Sequence, residues 1–209
     1  MKSKGWEPVY KKEGDLYKDV IPKIKKYAKI FKKNKYKIIL DLGCGTGRNT
    51  IFLAQQDFSV YALDASKTGV AITKKKAQEL GLKNIKYKVA DMRKTSYPDN
   101  YFDAVVCIFV LSHGLLKDNE DAVNEIYRIL KPKGMLVTEF MSVEDKTCGR
   151  GKKIEANTFL GGMEDDKHMM HHYFTKEEIK QFLSKFTKFK ISPKTYFGEV
   201  KAFDIEAIK

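Results

Sequence analysis

The chain has 209 residues, 43% of them hydrophobic and 32% charged, which fits a single globular domain and excludes a disordered chain. Its formal net charge of +13 suits nucleic acid or another anionic partner, although lysines scattered over a solvated surface would give the same charge. The three cysteines, at positions 44, 107 and 148, lack the spacing of a disulfide framework or a zinc site.

No apolar leader opens the sequence. Its longest apolar run, Ala104 to Leu111, is far shorter than the ~20 residues that span a bilayer. The cysteine pattern also suits a reducing compartment. Together these features predict a cytoplasmic protein that does not insert into a membrane.

The first elements in the chain are a helix and a strand. From Gly14 to Phe31, apolar side chains recur at helical spacing with lysines between them, which predicts an amphipathic helix that Pro22 kinks or breaks. The apolar run Ile38 to Leu42 is short and is followed by glycines, which predicts a buried strand. A helix is expected from Arg48 to Gln55.

Strands and helices then alternate. Further strands are predicted at Ser59 to Asp64, at Ile85 to Val89, within Tyr101 to Leu111, and at Met135 to Phe140. Helices are predicted from Ser66 to Leu80 and from Asn119 to Leu130. This alternation predicts an α/β fold: a Rossmann-like, doubly wound, mostly parallel sheet in a three-layer α/β/α arrangement.

The end of the chain has a different pattern. Residues 142–172 show no periodicity and contain four glycines, which is typical of a long functional loop. Thr175 to Glu178 form a capping box that opens a helix towards Phe186. Two alternating segments, Phe189 to Thr195 and Phe203 to Ile208, predict an antiparallel C-terminal hairpin at the sheet edge.

A glycine loop follows the first strand. Glycines at 43, 45 and 47 let the chain turn sharply and bring bare backbone against a ligand at the edge where open α/β sheets bind nucleotides. A dinucleotide fingerprint would need its third glycine at position 48, where this chain has Arg48. A phosphate-binding P-loop would end in Gly-Lys-Ser/Thr, which is absent here. Because Asp41 would repel a pyrophosphate, the loop favours a nucleoside that carries a positive charge.

The run Asp41-Leu42-Gly43-Cys44-Gly45-Thr46-Gly47 resembles motif I of class I S-adenosylmethionine (SAM)-dependent methyltransferases. The likeness covers roughly residues 36 to 140, and its extension to Ala54 is similar to the tellurite-resistance (TehB-like) small-molecule branch. The resemblance implies SAM as the cofactor and a small molecule as the methyl acceptor. It divides a single domain, 1–209, into a helical cap (1–35), a SAM-binding core (36–140), an acceptor-side loop region (141–174) and a C-terminal helix and hairpin (175–209).

The same resemblance implies the cofactor contacts. The carboxylate of Asp64 would accept both ribose hydroxyls, and Asp91 would accept the adenine amino group. Arg48 would pair with the methionine carboxylate, unless it faces solvent. The other expected contacts are Tyr10 and Tyr17 in the cap, Asp41, Gly43, Cys44, Gly45 and Asn49 around the loop, and Ala65, Met92, Ile108 and Phe109 at later strand ends.

Three histidines are candidates for catalysis. A methyl group on a sulfonium is electrophilic without a metal, so the enzyme mainly aligns the acceptor, and a base serves where the acceptor must lose a proton. His113 follows the fourth predicted strand, and His171 and His172 precede the capping box. Packed structural histidines are the alternative. No metal site is predicted, because the histidine spacing matches no zinc pattern.

The residues after the fourth strand narrow the acceptor class. Residues 108–113 lack the Asn/Asp-Pro-Pro-aromatic run of amino-methylating nucleic-acid enzymes, and the paired glutamates of protein-arginine methylation are absent too. A small-molecule acceptor is therefore predicted, in a monomer or homodimer. Two alternatives stay open: an RNA-associated SAM-binding protein or RNA methyltransferase that uses the basic surface, and an NAD-dependent oxidoreductase, for which the glycine spacing is wrong.

Overall fold

A seven-stranded sheet forms the centre of the computed structural model, which describes residues 5–162 and 168–209. Parts of the predicted cap (1–4) and of the predicted acceptor-side loop (163–167) lie outside the described residues. In chain order the elements are α1 (Glu7–Glu13), α2 (Pro22–Lys33), β1 (Ile38–Leu42), α3 (Arg48–Gln55), β2 (Ser59–Asp64), α4 (Lys67–Glu79), β3 (Ile85–Val89), β4 (Phe102–Cys107), α5 (Leu116–Ile129), β5 (Leu130–Met141), β6 (Lys152–Glu155), β7 (Thr158–Leu160), β8 (Met170–His172), α6 (Lys176–Phe182), β9 (Lys188–Tyr196) and β10 (Val200–Ile208).

The strand order of the large sheet is β3-β2-β1-β4-β5-β10-β9. The first five strands pair in parallel, whereas β10 is antiparallel to both β5 and β9. Strands β1 and β4 are buried almost throughout, as expected for parallel strands that are covered on both faces. The predicted doubly wound sheet and the C-terminal antiparallel hairpin are both confirmed.

Two apolar cores lie on opposite faces of this sheet. One contains Leu40 of β1 and Ile126 of α5, and the other contains Ile39 of β1 and Phe31 of α2. Neighbouring residues of β1 thus point to opposite layers, which is the period-two alternation of a strand. Because β1, β2 and β4 run in the same direction, their carboxyl ends lie at one edge of the sheet, where the loops that follow them meet.

The N-terminal helices differ from the prediction. Pro22 begins α2, where its missing N–H costs nothing, and residues 14–21 are not helical. The predicted break at Pro22 is therefore correct, but the helix before it, α1, lies earlier in the chain than expected. Its seven residues give too little repetition for helical periodicity to be visible.

The segment 142–172, which was expected to form a long functional loop, contains short strands that the sequence did not indicate. The described part of this segment contains β6, β7 and β8, which form a small antiparallel sheet. Strands of three or four residues are too short to show alternation in a sequence. A bridge between His113 and His171 ties this small sheet to the loop after β4.

Strand and helix boundaries differ by several residues elsewhere. Strand β4 lies within the predicted range and ends at Cys107, shortly before Phe109, whose φ of 56° is incompatible with a continuing strand. Strand β5 starts at Leu130 instead of Met135, and α5 starts at Leu116 instead of Asn119. Within 5–162 and 168–209, no helix combines the length and hydrophobicity that crossing a bilayer requires.

Candidate active site

The glycine loop is bare backbone held against the end of β2. Gly43, Gly45 and Gly47 have φ values of 73°, 53° and 89°, a region that suits glycine. The N–H groups of Gly43 and Cys44 donate to the carbonyl of Leu63 at 2.7 and 3.0 Å. A Cβ on Gly43 would lie 2.2 Å from Val110 Cγ2, so the loop after β4 packs directly on the glycine loop.

Asp64 ties the two strand ends together. Its carboxylate is 9% exposed and accepts the N–H of Gly45 through Oδ2 and that of Ser66 through Oδ1, each at 2.8 Å. Burial raises the pKa of Asp64, and the two backbone N–H groups act in the opposite direction. Since each carboxylate oxygen can accept a second hydrogen bond, Asp64 retains capacity for a ligand.

Asp41 lies beneath the glycine loop. It is 1% exposed and accepts a hydrogen bond from the hydroxyl of Thr50 in α3. Burial raises the pKa of Asp41 to about 6, with the Thr50 hydrogen bond opposing the shift. Its observed contact therefore joins the end of β1 to α3.

Helix α1 covers the loop. The hydroxyl of Tyr10 lies 2.6 Å from the position that a Cβ on Gly45 would occupy, and the ring of Trp6 stacks on Tyr10 with centroids 5.7 Å apart. The Glu7 carboxylate accepts from Ser66 Oγ at 2.6 Å and from the Thr68 N–H at 3.1 Å. Hydrogen bonds from Ser66 and Thr68 lower the pKa of Glu7 to about 2.

Sequence reasoning missed Glu7 and Trp6. The hydrogen bonds that tie them to the site, between Glu7 and Ser66 and between Trp6 and His113, join residues 59 and 107 positions apart, so no local pattern marks them. A capping acid can be recognised from sequence only when it lies close to the helix that it caps. Tyr17, which was predicted, is 43% exposed, and its ring lies 6.2 Å from that of Trp6.

Arg48 and Asn49 open α3 at the loop. The guanidinium carbon of Arg48 lies 5.2 Å from the ring centroid of Tyr17, and burial lowers the pKa of Arg48. Asn49 is 5% exposed, and its Oδ1 has no hydrogen-bond partner within the part of the chain that the structure describes. A buried polar atom of this kind at a helix N-terminus fits a ligand that donates a hydrogen bond.

The end of β3 is more open. Asp91 is exposed, and its carboxylate accepts hydrogen bonds from the side chain and from the backbone N–H of Arg93. These bonds lower the pKa of Asp91. Arg93 also pairs with Asp118 at the start of α5. Ala65 is exposed and Met92 is half-buried, so both lie where a ligand between β2 and β3 could touch them.

The loop after β4 carries Ile108 and Phe109. Ile108 is 6% exposed, and the N–H of Phe109 donates to Glu139 Oε1 at the end of β5. Burial raises the thiol pKa of Cys44 and of Cys107 well above the ordinary value, so both cysteines are neutral core residues.

His113 and His171 lie together, whereas His172 has other neighbours. The His113 and His171 rings are 4.7 Å apart, and Trp6 Nε1 donates to His113 Nε2 at 3.2 Å. Burial, with His171 as a smaller cause, lowers the pKa of His113 to about 3. His172 bonds to Thr158 through Nδ1 at 2.7 Å.

Comparison with known proteins identifies the core. Residues 40–138 match the family described as methyltransferase domain. This segment is a class I methyltransferase domain. The prediction of a class I SAM-dependent methyltransferase, and of SAM as the cofactor of this type of domain, is thereby confirmed.

Individual relatives are consistent with this assignment. The chain is 31% identical over 146 residues to the ubiquinone biosynthesis O-methyltransferase of Rickettsia prowazekii, which covers 70% of this chain and 56% of the relative. The chain spans about half the length of the curated relatives it matches.

Solved structures share the fold of the methyltransferase domain. A SAM-dependent methyltransferase from Methanosarcina mazei superposes with a TM-score of 0.74 at 23% identity, over 91% of this chain and 98% of that chain. TehB from Haemophilus influenzae superposes with a TM-score of 0.64 at 14% identity, over 97% of this chain and 65% of that one.

The close contact at Gly43 generates a first prediction. Gly43→Ala and Gly81→Ala both place an alanine at a similar positive φ, 73° and 67°, but a Cβ on Gly81 meets no atom within 4 Å. Both variants therefore share the backbone strain, and Gly43→Ala adds a clash with Val110. We expect Gly43→Ala to be less stable than Gly81→Ala by about 1–3 kcal/mol in urea unfolding. Equal stability would show that Val110 does not pack on the loop.

The buried acid beneath the loop generates a second prediction. Because the pKa of Asp41 is raised from 3.8 to about 6, its ionisation destabilises the folded chain as the pH rises through this interval. Asp41→Asn removes the charge but keeps an oxygen that can accept from Thr50. The stability of Asp41→Asn relative to wild type should therefore rise by about 2–3 kcal/mol between about pH 4 and about pH 7. Asp57→Asn, on an exposed loop, is the control, and a pH-independent difference for Asp41→Asn would contradict the prediction.

Proposed function

We propose that this chain is an enzyme that transfers a methyl group from SAM to a small-molecule acceptor, with residues 1–209 acting as one domain. The buried carboxylate of Asp64 beside the glycine loop supports this most directly. It orients two backbone N–H groups and keeps capacity for two neighbouring hydroxyls, which is what a ribose offers. We assign the protein to the cytoplasm, as a monomer or a homodimer.

The methionine end of SAM would lie at the start of α3. Its carboxylate would face the free N–H groups of this helix and the side chain of Arg48. Its ammonium would donate to the unpaired Oδ1 of Asn49 and to backbone carbonyls at Ile108 and Phe109. The assignment of the ammonium gives a partner to the buried Oδ1 of Asn49, which has none among the described residues.

The adenine would lie between the ends of β2 and β3, against Ala65 and Met92. Each oxygen of Asp91 already accepts two hydrogen bonds from Arg93, so Asp91 would accept the adenine amino group in place of one of these bonds. Because Tyr10 fills the space in front of Gly45, we infer that the segment bearing Tyr10 and Tyr17 shifts as SAM enters.

Bound SAM supplies a methyl group on a positively charged sulfur, which needs no metal to be transferred. The chain itself excludes water and orients the acceptor. Where the acceptor must lose a proton, we assign the base to His113, with His171 packed against it. In the described conformation burial lowers the pKa of His113 and Trp6 donates to its Nε2, so we infer that His113 acts as the base only after the Trp6 hydrogen bond is released and the site opens.

We assign His172 to positioning rather than to contact with the acceptor. Its Nδ1 is bonded to Thr158, and its Nε2 lies 3.7 Å from Glu178 Oε1 in the capping box of α6. Those contacts fix β8 against α6, whereas the neighbouring His171 packs on His113 in the loop after β4. The similarity to a ubiquinone biosynthesis O-methyltransferase supports an acceptor that is a small molecule.

Cofactor binding generates a third prediction. Asp64→Asn should weaken SAM binding about 10- to 100-fold in isothermal calorimetry, because a hydrogen bond to a charged group contributes about 1.5–3 kcal/mol. Asp57→Asn, an exposed substitution of the same kind, should bind SAM like wild type. If wild type gives no heat with SAM, the proposed function is wrong. If wild type binds SAM and Asp64→Asn binds it equally tightly, the ribose assignment is wrong.

The role of the histidines generates a fourth prediction. His113→Ala should lower turnover about 100-fold or more with an acceptor that must be deprotonated, since general base catalysis contributes about 10²–10⁴-fold. SAM affinity should stay unchanged. Labelled SAM with a panel of phenols, thiols, amines and tellurium oxyanions provides the assay. His168→Ala, which replaces an exposed histidine shortly before β8, provides the control. Unchanged turnover by His113→Ala on every active acceptor would refute the assignment.

A further inference from the structure

We propose that Phe109, Tyr196 and Phe197 form the surface on which the methyl acceptor binds, and that this surface takes a flat aromatic ring. We call these three side chains the aromatic wall. The inference rests on the proposed function and adds the chemical class of the acceptor, which the cofactor contacts do not define.

The three rings form one surface. The Phe109 ring lies edge-to-face against Tyr196, with centroids 5.1 Å apart, and is tilted against Phe197 at 5.5 Å. Tyr196 is buried at 6% exposure, Phe109 is half-buried, and Phe197 is 68% exposed. The aromatic wall thus has an anchored inner part and an open outer part.

The backbone of the aromatic wall is strained. Phe109 and Phe197 have φ values of 56° and 53°, a region that bulky residues rarely occupy. Such conformations persist only where the surroundings impose them, and they concentrate at ligand-binding sites. A single exposed apolar residue needs no functional explanation. Here, however, two phenylalanines with positive φ contact each other, and this supports a binding role for the surface.

The aromatic wall also lies next to the glycine loop. Phe109 follows β4 at the edge where the parallel strands end, and the adjacent Val110 packs on Gly43. Phe197 sits at the tip of the β9–β10 hairpin, which reaches the same edge from the antiparallel side of the sheet. A compound on the wall is therefore beside the loop to which we assign SAM.

A buried ion cluster anchors the two inner rings. Lys23 Nζ is 3.7 Å from Glu139 Oε2 and also pairs with Asp204. Glu139 accepts the N–H of Phe109, and Asp204 accepts the hydroxyl of Tyr196 at 3.2 Å. Lys23 and Glu139 are 4% and 2% exposed, so this arrangement carries a large desolvation cost and is costly to disrupt. One lysine thus fixes both the Phe109 backbone and the Tyr196 side chain.

The geometry favours an aromatic ligand over an aliphatic one. Rings prefer offset-stacked or edge-to-face neighbours, and the exposed face of Phe197 offers one such position to a further ring. A saturated ring of the same size would gain only from burial of its surface. The wall should therefore discriminate by ring planarity and not by hydrophobicity alone.

The test compares a flat probe with its saturated counterpart. The full chain, saturated with S-adenosylhomocysteine, is titrated calorimetrically with 2,3-dihydroxynaphthalene and with decahydronaphthalene-2,3-diol. We expect wild type to bind the aromatic diol about 3- to 10-fold more tightly than the saturated diol. Phe197→Ala should weaken the aromatic diol by about the same factor, and Phe197→Leu should remove the preference while keeping apolar surface.

Phe189→Ala is the matched control. Phe189 is exposed at 42% on the same hairpin, but it pairs with Ala207 at the end away from the tip, so its removal should change neither affinity. Binding of S-adenosylhomocysteine should be equal in wild type and all three variants.

The outcomes separate the two proposals. If S-adenosylhomocysteine binds but wild type binds neither diol, binds both equally, or is matched by Phe197→Ala, the aromatic wall is not the acceptor surface and the proposed function stands. If wild type fails to bind S-adenosylhomocysteine, the proposed function itself is wrong.

Discussion

The hydrogen bonds from Gly45 and Ser66 to the carboxylate of Asp64 are the contacts on which the site depends. In the parallel register Leu42 lies beside Leu63, so the glycine loop and the end of β2 leave the sheet side by side. The Leu63 carbonyl then accepts the first two loop N–H groups, and Asp64 accepts the next one. Because β2 satisfies these donors, the loop needs no side chains of its own and can face a ligand with bare backbone.

The N-terminal segment is attached to the same place. Ser66 caps α4 by accepting the Gly69 N–H, and its hydroxyl donates to Glu7. A carboxylate at this position is also favoured by the dipole of α4. The position of α1 therefore follows from the polar groups at the start of α4, and this brings Tyr10 over Gly45 and Trp6 against His113. The glycine loop and His113 are thus linked through α1 and its N-cap residue Trp6.

The parallel core could be predicted from sequence because its signals are local: buried strands read as apolar runs, and the loop is defined by glycines two positions apart. The same locality explains what was missed. Lys23 looks like one of many N-terminal lysines until α2 packs on the sheet and buries it beside Glu139, 116 positions later in the chain. Glu139 itself reads as a charged residue inside a predicted strand. Their importance arises from tertiary contact, which spacing within a segment does not encode.

The basic composition has two physically different components. Exposed lysines such as Lys75 and Lys117 pair with acids one helical turn away, and such pairs contribute about 0–1 kcal/mol and weaken with salt. Lys23 has the same side chain but sits among buried acids, where solvent screening is weak and loss of one partner leaves an uncompensated charge. The net charge of +13 therefore arises mainly from exposed lysines, whose interactions salt screens. The geometry of the site depends instead on a few buried charged groups, whose interactions salt screens only weakly.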